Sequence, residues 1–301
     1  MKLFWRDEIR RKDIDTLKRQ LRSKLGGYVK DISHVTTERR LFRGVICDEQ
    51  PRYIERISYP PAALITKLGR LNRDHQSMFY ATCGGPAVYY EIQAKAGDRV
   101  VVSTWELIQP VYMHNLGFHP KTLKQIGGPM DGSRQRFANP IPNETASNAK
   151  LRHQLSEAFT EDVPDGEEWK YKLPIAINEV LFDGAGPLPI SLSDGPKFDQ
   201  AVGTVYPAMK MKGAADNVAM WPEYVNRFLR LKFVSYVLVE AGDAERQSYS
   251  VSSLAQSDEF EENEIIWRPG ITDERLRRGH ISYENRQWML RDGLGEIYDI
   301  H

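Results

Sequence analysis

Cysteine is nearly absent from this chain of 301 residues, which carries only Cys47 and Cys83. Two thiols cannot build the disulfide framework on which small secreted domains depend, and their scarcity fits a reducing compartment. Free cysteine is among the most often buried residue types, so we expect both to be small apolar side chains in the core. The sequence therefore argues against a disulfide-stabilised extracellular protein.

An excess of either charge is also lacking, because 41 lysines and arginines balance 41 aspartates and glutamates. A neutral chain gives no electrostatic reason to expect nucleic acid or a membrane surface as its main partner. No run approaches the roughly 18 apolar residues that would cross a bilayer. The apolar opening, from Leu3 to Trp5, is far shorter than a signal peptide requires. These absences favour a cytoplasmic protein with no membrane partner and no direct nucleic-acid partner.

Most of the common catalytic motifs are missing as well. The sequence contains no GxSxG, no P-loop, no GxGxxG and no HExxH. His114 and His119 lie close together in HNLGFHP, but no further ligand accompanies them at the spacing of a metal site. We therefore expect both to be surface or loop histidines, and we expect no metal.

What the chain does contain is an ordinary globular composition, 41% hydrophobic and 27% charged, which is enough for a sizeable core. Residues 1–37 are predicted to form an N-terminal helical extension. Asp13 or Asp15 can cap a helix there, and Gly26-Gly27 can end it. Its polar face is either solvated or an arm that binds a partner or a phosphate. The apolar residues that recur at helical spacing are Ile14, Leu17, Leu21 and Leu25.

From residue 40 onward the sequence changes to short apolar runs that are typical of strands. The predicted strands are LFRGVI (41–46), SMFYAT (77–82), RVVVSTWELI (99–108), GTVYP (203–207), NVAMW (217–221) and LKFVSYVLVE (231–240). The predicted helical segments are a short one after Pro86 and two longer ones at 148–160 and 166–182, with a hairpin or helix at 281–300. The fold class is therefore α+β, a mixed central sheet with flanking helices. The loop-rich stretch 117–147 is a candidate cover over a site.

Four residues in the first third of the chain form a candidate site: Arg43, Arg70, Tyr80 and Glu91. An arginine inside a short apolar strand is costly to bury unless it meets an anion or a carboxylate. Guanidinium groups chelate phosphate, a tyrosine ring stacks on a flat heterocycle, and a carboxylate accepts from ribose hydroxyls and stabilises an oxocarbenium-like centre. The alternative is purely structural, a buried salt bridge between one of the arginines and Glu91 or Glu106.

Three segments, ERRLFRGV, GRLNRDHQSMFYATCGGPAVYYEI and GTVYPAMKMKGAADNVAMWP, resemble the RES-domain family, which is named for its Arg, Glu and Ser. The resemblance covers residues 38–240, which we therefore predict to be an NAD-binding domain. Residues 241–301 are predicted to be a C-terminal extension packed on the same domain. By this match the site residues are Arg43, Arg70, Tyr80 and Glu91, followed much later by Tyr206 and Asn217.

The resemblance implies a fold related to ADP-ribosyltransferases and an enzyme that consumes NAD⁺ as its substrate. Many such proteins are bacterial toxins paired with a helix-turn-helix antitoxin, and they transfer ADP-ribose to water, phosphate or a protein. Arg43 and Arg70 would hold the pyrophosphate, and Tyr80 would pack on the ribose or the nicotinamide. Glu91 would bind a ribose hydroxyl and stabilise the charge at the anomeric carbon as nicotinamide leaves. Tyr206 and Asn217 would complete the binding site, with no metal.

One position departs from the family pattern, because Ala208 stands where the family usually has serine after Tyr-Pro. The missing hydroxyl removes a hydrogen bond of about 1 kcal/mol. Two alternatives therefore stay open. The first is a catalytically weak or inactive relative that binds NAD⁺ or a partner protein. The second is a glycoside-processing enzyme that uses Glu91 and Glu106 as a carboxylate pair.

Overall fold

The computed structural model describes residues 3–28, 30–127, 144–183, 200–243, 248–271, 278–284, 287–292 and 296–299. A large mixed sheet with helices packed on it dominates these residues, which confirms the predicted α+β class. The strands are β1 (Ile32–Val35), β2 (Arg40–Ile46), β3 (Phe79–Thr82), β4 (Arg99–Leu107), β5 (Val111–Asn115), β6 (Ala201–Pro207), β7 (Asp216–Met220), β8 (Leu229–Asp243), β9 (Ser248–Ser257), β10 (Phe260–Glu261), β11 (Glu264–Ile265), β12 (Arg268–Pro269), β13 (Arg278–Glu284), β14 (Gln287–Asp292) and β15 (Ile297–Asp299).

The strands of the main sheet lie in the order β1-β5-β6-β7-β3-β2-β4-β8-β9-β13-β14-β15, with β12 paired to β9. β5 and β6 run parallel, which makes the sheet mixed. All six strands that the apolar runs predicted are present, and the predicted hairpin or helix at the end of the chain is the hairpin β13–β14. The sheet continues past residue 240 without interruption, because β8 pairs with β9 along most of its length.

The sheet consists of two halves that share a hydrophobic cluster but are joined by a single residue pair between their strands. β1, β5, β6, β7 and β3 form the first half-sheet, and β2, β4, β8, β9 and β13–β15 form the second. Only Phe42 and Thr82 pair between β2 and β3, whereas β2 pairs with β4 along its whole length. The sheet therefore has an opening between β2 and β3.

The helices cover the two halves separately. They are α1 (Arg6–Arg11), α2 (Ile14–Lys24), α3 (Ala87–Glu91), α4 (Pro120–Gln125), α5 (Ala146–Phe159), α6 (Lys172–Phe182) and α7 (Pro222–Phe228). α1, α2, α5 and α6 share a hydrophobic cluster with the first half-sheet. On the second half-sheet, α3 packs against residues of β4, β8 and β9. A third cluster, on β2–β8 together with α7, holds Leu41, Phe79 and Trp105.

The N-terminal helix α2 forms as the sequence predicts. Asp13 is its N-cap and accepts a hydrogen bond from the Thr16 amide at 2.6 Å, and Gly27 follows its end with a φ of 75°. Leu17 and Leu21 are fully buried against α6. Full burial of each leucine contributes about 1.5–3 kcal/mol, which ties the extension firmly to the body.

The prediction that His114 is a surface or loop histidine is wrong. It lies in β5 with 1% of its surface exposed, because β5 is flanked by β1 and β6 and its ring packs at 5.0 Å against Phe182. Gly117, which follows it in the sequence, belongs to the next loop, and Pro120 begins α4. His119 does lie in that loop, where it caps α4.

Three other expectations have mixed outcomes. Cys47 is buried as expected, whereas Cys83 is only partly buried. The candidate cover at 117–147 contains α4, and its residues 128–143 lie outside the described residues, as does most of the connection after α6. Among the described helices, none combines the length and the apolar composition that a membrane crossing requires.

Candidate functional site

The opening between β2 and β3 is where the candidate site lies. Gly44 faces α3 across it, and a Cβ atom there would meet Val88 Cγ1 at 2.2 Å. Only glycine therefore lets α3 lie this close to β2. Because α3 ends at Glu91, this close approach holds the glutamate over the opening.

A cavity of about 260 Å³, here called the inner cavity, occupies the opening. A second one of about 380 Å³, the outer cavity, shares Glu91, Tyr206 and Asn217 with it. The inner cavity adds Arg43 and Tyr80, and the outer cavity adds Arg70. The structure thus brings all six predicted site residues, which span positions 43–217, around two adjoining cavities.

Arg43 reaches the inner cavity from the far side of the sheet. Its side chain leaves β2 on the face that carries Leu41, and its guanidinium lies 5.6 Å from the Phe79 ring centroid. Nε donates to the Ser58 carbonyl at 2.8 Å and Nη1 to the Tyr80 carbonyl at 2.9 Å. The bond to Tyr80 bridges β2 and β3 where the ladder is missing. Burial lowers the pKa of Arg43 to about 10, because neutral carbonyls compensate its charge only partly.

Arg70 lies in a short loop, Gly69–Arg73, here called the arginine loop. Its Nη1 and Nη2 donate to the carbonyls of Phe159 and Glu161, at 2.9 and 3.2 Å, at the end of α5. Partial negative charge at the C-terminus of a helix favours a cation there. The guanidinium also lies 5.3 Å from the ring centroid of Tyr171.

Neither arginine forms the structural salt bridge that was the alternative. Across the described residues, Arg43 and Arg70 make no ion pair with a carboxylate within 4.0 Å. Glu106 instead pairs with Arg230 at 2.5 Å, outside both cavities. Two cations that neutral groups hold in place are therefore available to an anion.

Tyr80 contacts both the inner cavity and the arginine loop. Its side chain lines the inner cavity, as predicted. Its hydroxyl donates to Asn72 Oδ1 at 2.8 Å and accepts from the Leu71 amide at 2.9 Å. Burial raises its pKa. The hydroxyl is therefore engaged with the protein, and the ring is what Tyr80 offers to a ligand.

Glu91 and Asn217 carry unsatisfied acceptors where the two cavities meet. Glu91 Oε1 and Asn217 Oδ1 are buried and have no hydrogen-bond partner among the described residues. Burial raises the pKa of Glu91, while hydrogen bonding with Asn217 and the charges of Arg70 and Lys210 oppose that shift. A buried acceptor left without a donor costs about 1–3 kcal/mol, so both oxygens favour a ligand that brings donors.

Tyr206 and Ala208, on either side of Pro207, differ in their access to the site. Tyr206 lines both cavities, and burial raises its pKa well above the ordinary value. Ala208 is fully buried in the apolar cluster around α3 and lines neither cavity. The position of the missing serine thus lies behind the site.

Sequence reasoning missed three residues of the outer cavity: Tyr171, Asp162 and Lys210. Asp162 and Lys210 form an exposed ion pair at 3.4 Å across its rim. Lys210 follows the Tyr-Pro motif by three residues, which was a weak signal, but nothing in the sequence marks the other two. In the part of the chain that the structure describes, no group of three or more His, Cys, Asp or Glu residues is arranged to hold a metal.

No family model matches this chain, and no curated protein matches it either. The function of these residues must therefore be argued from their geometry and from the resemblance in three sequence segments.

Proposed function

We propose that this chain binds NAD⁺ across the inner and outer cavities and cleaves the bond between nicotinamide and ribose. One observation carries the proposal. Among the described residues, the guanidinium groups of Arg43 and Arg70 have no carboxylate partner, and they border the same pair of cavities as Glu91, whose buried Oε1 accepts no hydrogen bond. A ligand that complements this arrangement presents negative charge and hydroxyl donors together.

A dinucleotide has both features. Its pyrophosphate offers anionic oxygens to the arginines, which bind such groups with parallel hydrogen bonds. Its ribose hydroxyls offer the donors that Glu91 Oε1 and Asn217 Oδ1 lack. The inner cavity, lined by Phe42, Val88 and aromatic rings, suits the flat nicotinamide, and the more polar outer cavity suits the ribose. The pyrophosphate would lie where the two cavities meet, between Arg43 and Arg70. The outer cavity, of about 380 Å³, lies within the range of small-molecule sites, about 300–1,000 Å³, and the inner cavity, of about 260 Å³, is slightly smaller.

The chemistry is a glycosyl transfer. The bond between the ribose anomeric carbon and the nicotinamide nitrogen breaks, and its electron pair neutralises the pyridinium, so nicotinamide leaves as a neutral molecule. Glu91, as a carboxylate beside the ribose, stabilises the positive charge that develops on the anomeric carbon. The acceptor then adds a lone pair to that carbon and gives its proton to solvent. Tyr206 and Asn217 hold the ribose in this orientation.

Glu91 must be ionised for this role. Because burial raises its pKa, the carboxylate becomes available only at a higher pH than for an ordinary glutamate. The charges of Arg70 and Lys210 limit the rise. The proposal therefore includes a loss of turnover on the acidic side, at a pH above the usual glutamate range.

The biological setting of the proposal comes from the resemblance. It is that of a RES-type toxin with a fold related to ADP-ribosyltransferases, acting in the cytoplasm and paired with a helix-turn-helix antitoxin. The acceptor of ADP-ribose is water, phosphate or a protein side chain.

The test is to incubate the purified chain with NAD⁺ and to analyse the mixture by mass spectrometry. We expect release of nicotinamide together with ADP-ribose or its adduct, whose mass identifies a small acceptor. Glu106→Gln is the matched control, because Glu106 lies outside both cavities. Turnover in this control separates the proposal from the glycoside-processing alternative, which needs Glu106. If calorimetry shows NAD⁺ binding without any release, the chain is the inactive relative, and if NAD⁺ does not bind, the proposal is wrong.

A further inference from the structure

Arg73, at the end of the arginine loop, contacts two carboxylates outside the cavities. Its Nε and Nη2 donate to the two carboxylate oxygens of Glu179 at 2.6 and 2.8 Å. Its Nη2 and Nη1 donate to those of Asp15 at 2.6 and 3.1 Å. Asp15 belongs to α2 and Glu179 to α6. One side chain thus fastens the loop to both helices.

Helices α2 and α6 are also joined directly to each other beside Arg73. Lys18 of α2 pairs with Glu179 at 2.6 Å and with Asp183 at 3.1 Å. The side chains of Lys18 and Glu179 are only 15% and 10% exposed. The ion pairs of Glu179 are therefore shielded from water, whereas Asp15 is 61% exposed, so Glu179 is the stronger of the two anchors of Arg73.

The loop between Arg70 and Arg73 leaves little freedom for the two ends to move separately. Leu71 is fully buried, and its amide donates to the Tyr80 hydroxyl. Gly69 packs so tightly against Asn72 that a Cβ would meet its Oδ1 at 2.2 Å. Only Leu71 and Asn72 lie between the two arginines, and both are held by contacts with the protein, so a displacement of Arg73 is passed to Arg70 through a short and tightly packed segment.

We propose that Arg73 is a positioning residue, which sets the guanidinium of Arg70 in the outer cavity through its ion pairs with Asp15 and Glu179. The N-terminal helix α2 then helps to position a residue of the site, because its Asp15 pairs with Arg73. The inference rests on the proposed function for the identity of the ligand. The contacts of Arg73 do not depend on which ligand binds.

The principal test is Arg73→Gln, with NAD⁺ affinity and turnover measured separately. We expect the Kd and KM for NAD⁺ to rise about ten-fold while kcat changes by less than about two-fold, since a misplaced binding group impairs ground-state binding. Arg73→Lys keeps the charge but lacks the planar set of N–H donors, so its affinity for NAD⁺ should lie between those of Arg73→Gln and the wild type. Asp15→Asn should act in the same direction, and the double variant should be no worse than Arg73→Gln alone, because both changes act through one contact.

The control is Arg52→Gln, which breaks an exposed ion pair with Glu264 remote from the arginine loop and should leave every parameter unchanged. If Arg73→Gln binds NAD⁺ as tightly as the wild type, the inference is overturned. Should Arg73→Gln fail to fold, Arg73→Lys decides the question by the same measurement, because it keeps the charge but cannot bond both carboxylates with a planar set of donors, and an unchanged Kd in that variant would overturn the inference.

Failure of the proposed function gives a different result. If the wild type does not bind NAD⁺, amide hydrogen exchange at Arg70 and Leu71 tests the positioning alone. Exchange there should be at least about ten-fold faster in Arg73→Gln, while the amides of β4 keep their protection. Unchanged exchange in the arginine loop would overturn the inference whatever the ligand.

Discussion

Arg70 and Arg73 lie three residues apart in one loop, and their surroundings are opposite. Arg73 donates hydrogen bonds to two carboxylates and lines neither cavity, and these hydrogen bonds to Glu179 and Asp15 raise its pKa. Arg70 bonds to two neutral carbonyls and lines the outer cavity. The charge of the first is satisfied within the fold, whereas the charge of the second is not.

Whether a charged side chain is paired within the protein distinguishes structural residues from binding residues better than residue type does. A cation that is fully paired inside the protein stabilises the native state and has nothing left for a ligand. A cation that carbonyls hold in place keeps its direction and its charge, which is the preorganised state that binding an anion requires. By this criterion Arg43, Arg70 and Glu91 belong to the site, and Arg73 and Glu106 belong to its support or to the surface.

Glu91→Gln should have the largest effect of the substitutions considered, and it tests whether Glu91 belongs to the site. The substitution keeps the shape and removes the charge, so NAD⁺ binding should persist while kcat falls about 10²- to 10³-fold, the loss typical of one transition-state contact. Nicotinamide release measured by chromatography, with Glu106→Gln as the control, checks this. In the wild type kcat should also rise with pH through a pKa above that of ordinary glutamate, because burial raises the pKa of Glu91. Undiminished turnover in Glu91→Gln would remove the residue from the mechanism.

Arg70→Gln should have the next largest effect, on binding. Loss of a charged hydrogen-bond donor to the pyrophosphate should weaken NAD⁺ binding by about 1.5–3 kcal/mol, and Arg43→Gln should do the same. Calorimetry measures this, with the exposed Arg52→Gln as the matched control. Wild-type affinity in both variants would show that the anion lies elsewhere.

The sequence predicted the local elements well and the long-range ones poorly. Short apolar runs such as LFRGVI and the 3.6-residue recurrence around Leu17 depend on neighbours in the chain, so helix α2 and six strands (β2, β3, β4, β6, β7 and β8) could be anticipated, whereas β5 was not. The burial of His114 could not, because it arises from β1 and β6 on either side. The ion pair between Arg73 and Glu179 joins residues 106 positions apart in the chain. No rule based on sequence spacing predicts such a contact.

The site shows the same division. The convergence of Arg43, Arg70 and Glu91 was anticipated from residue chemistry and from the order of the motifs. The route of Arg43 through the opening between β2 and β3 was not, because it depends on a missing strand pairing. Lys210 and Tyr171 enter the outer cavity only through the packing of distant segments.

His114 is a buried polar group that lines neither cavity. Both ring nitrogens lack a partner among the described residues, and burial lowers the pKa of His114 to about 3. The unfolded chain takes up a proton near pH 6.5, whereas the folded His114 stays neutral, so the unfolded state gains protons on acidification. Stability is therefore full above about pH 6.5 and should fall by about 2 kcal/mol between pH 7 and pH 5 from this residue alone.

Denaturant titrations of wild type and His114→Leu at the two pH values isolate this contribution. The leucine variant should lose less stability on acidification by that amount and should bind NAD⁺ as the wild type does, because His114 lines neither cavity. Identical acid losses in the two proteins would mean that His114 is protonated or hydrated in the folded state. Remaining acid sensitivity is expected from His119, whose pKa burial also lowers, to about 4.

Ala208→Ser should have the smallest effect on activity, although it restores the residue that the RES family usually has. Ala208 is fully buried in the apolar cluster around α3 and contacts neither cavity, so a hydroxyl there cannot donate to a ligand without a shift of the backbone. We expect kcat/KM to change by less than about two-fold and the free energy of unfolding to fall by about 1–2 kcal/mol, the cost of a buried hydroxyl without a partner. Nicotinamide release and denaturant titration give the two numbers. A gain of ten-fold or more in turnover would show that the serine hydroxyl reaches the substrate and that its absence, rather than any weakness of Glu91 or the arginines, limits this chain.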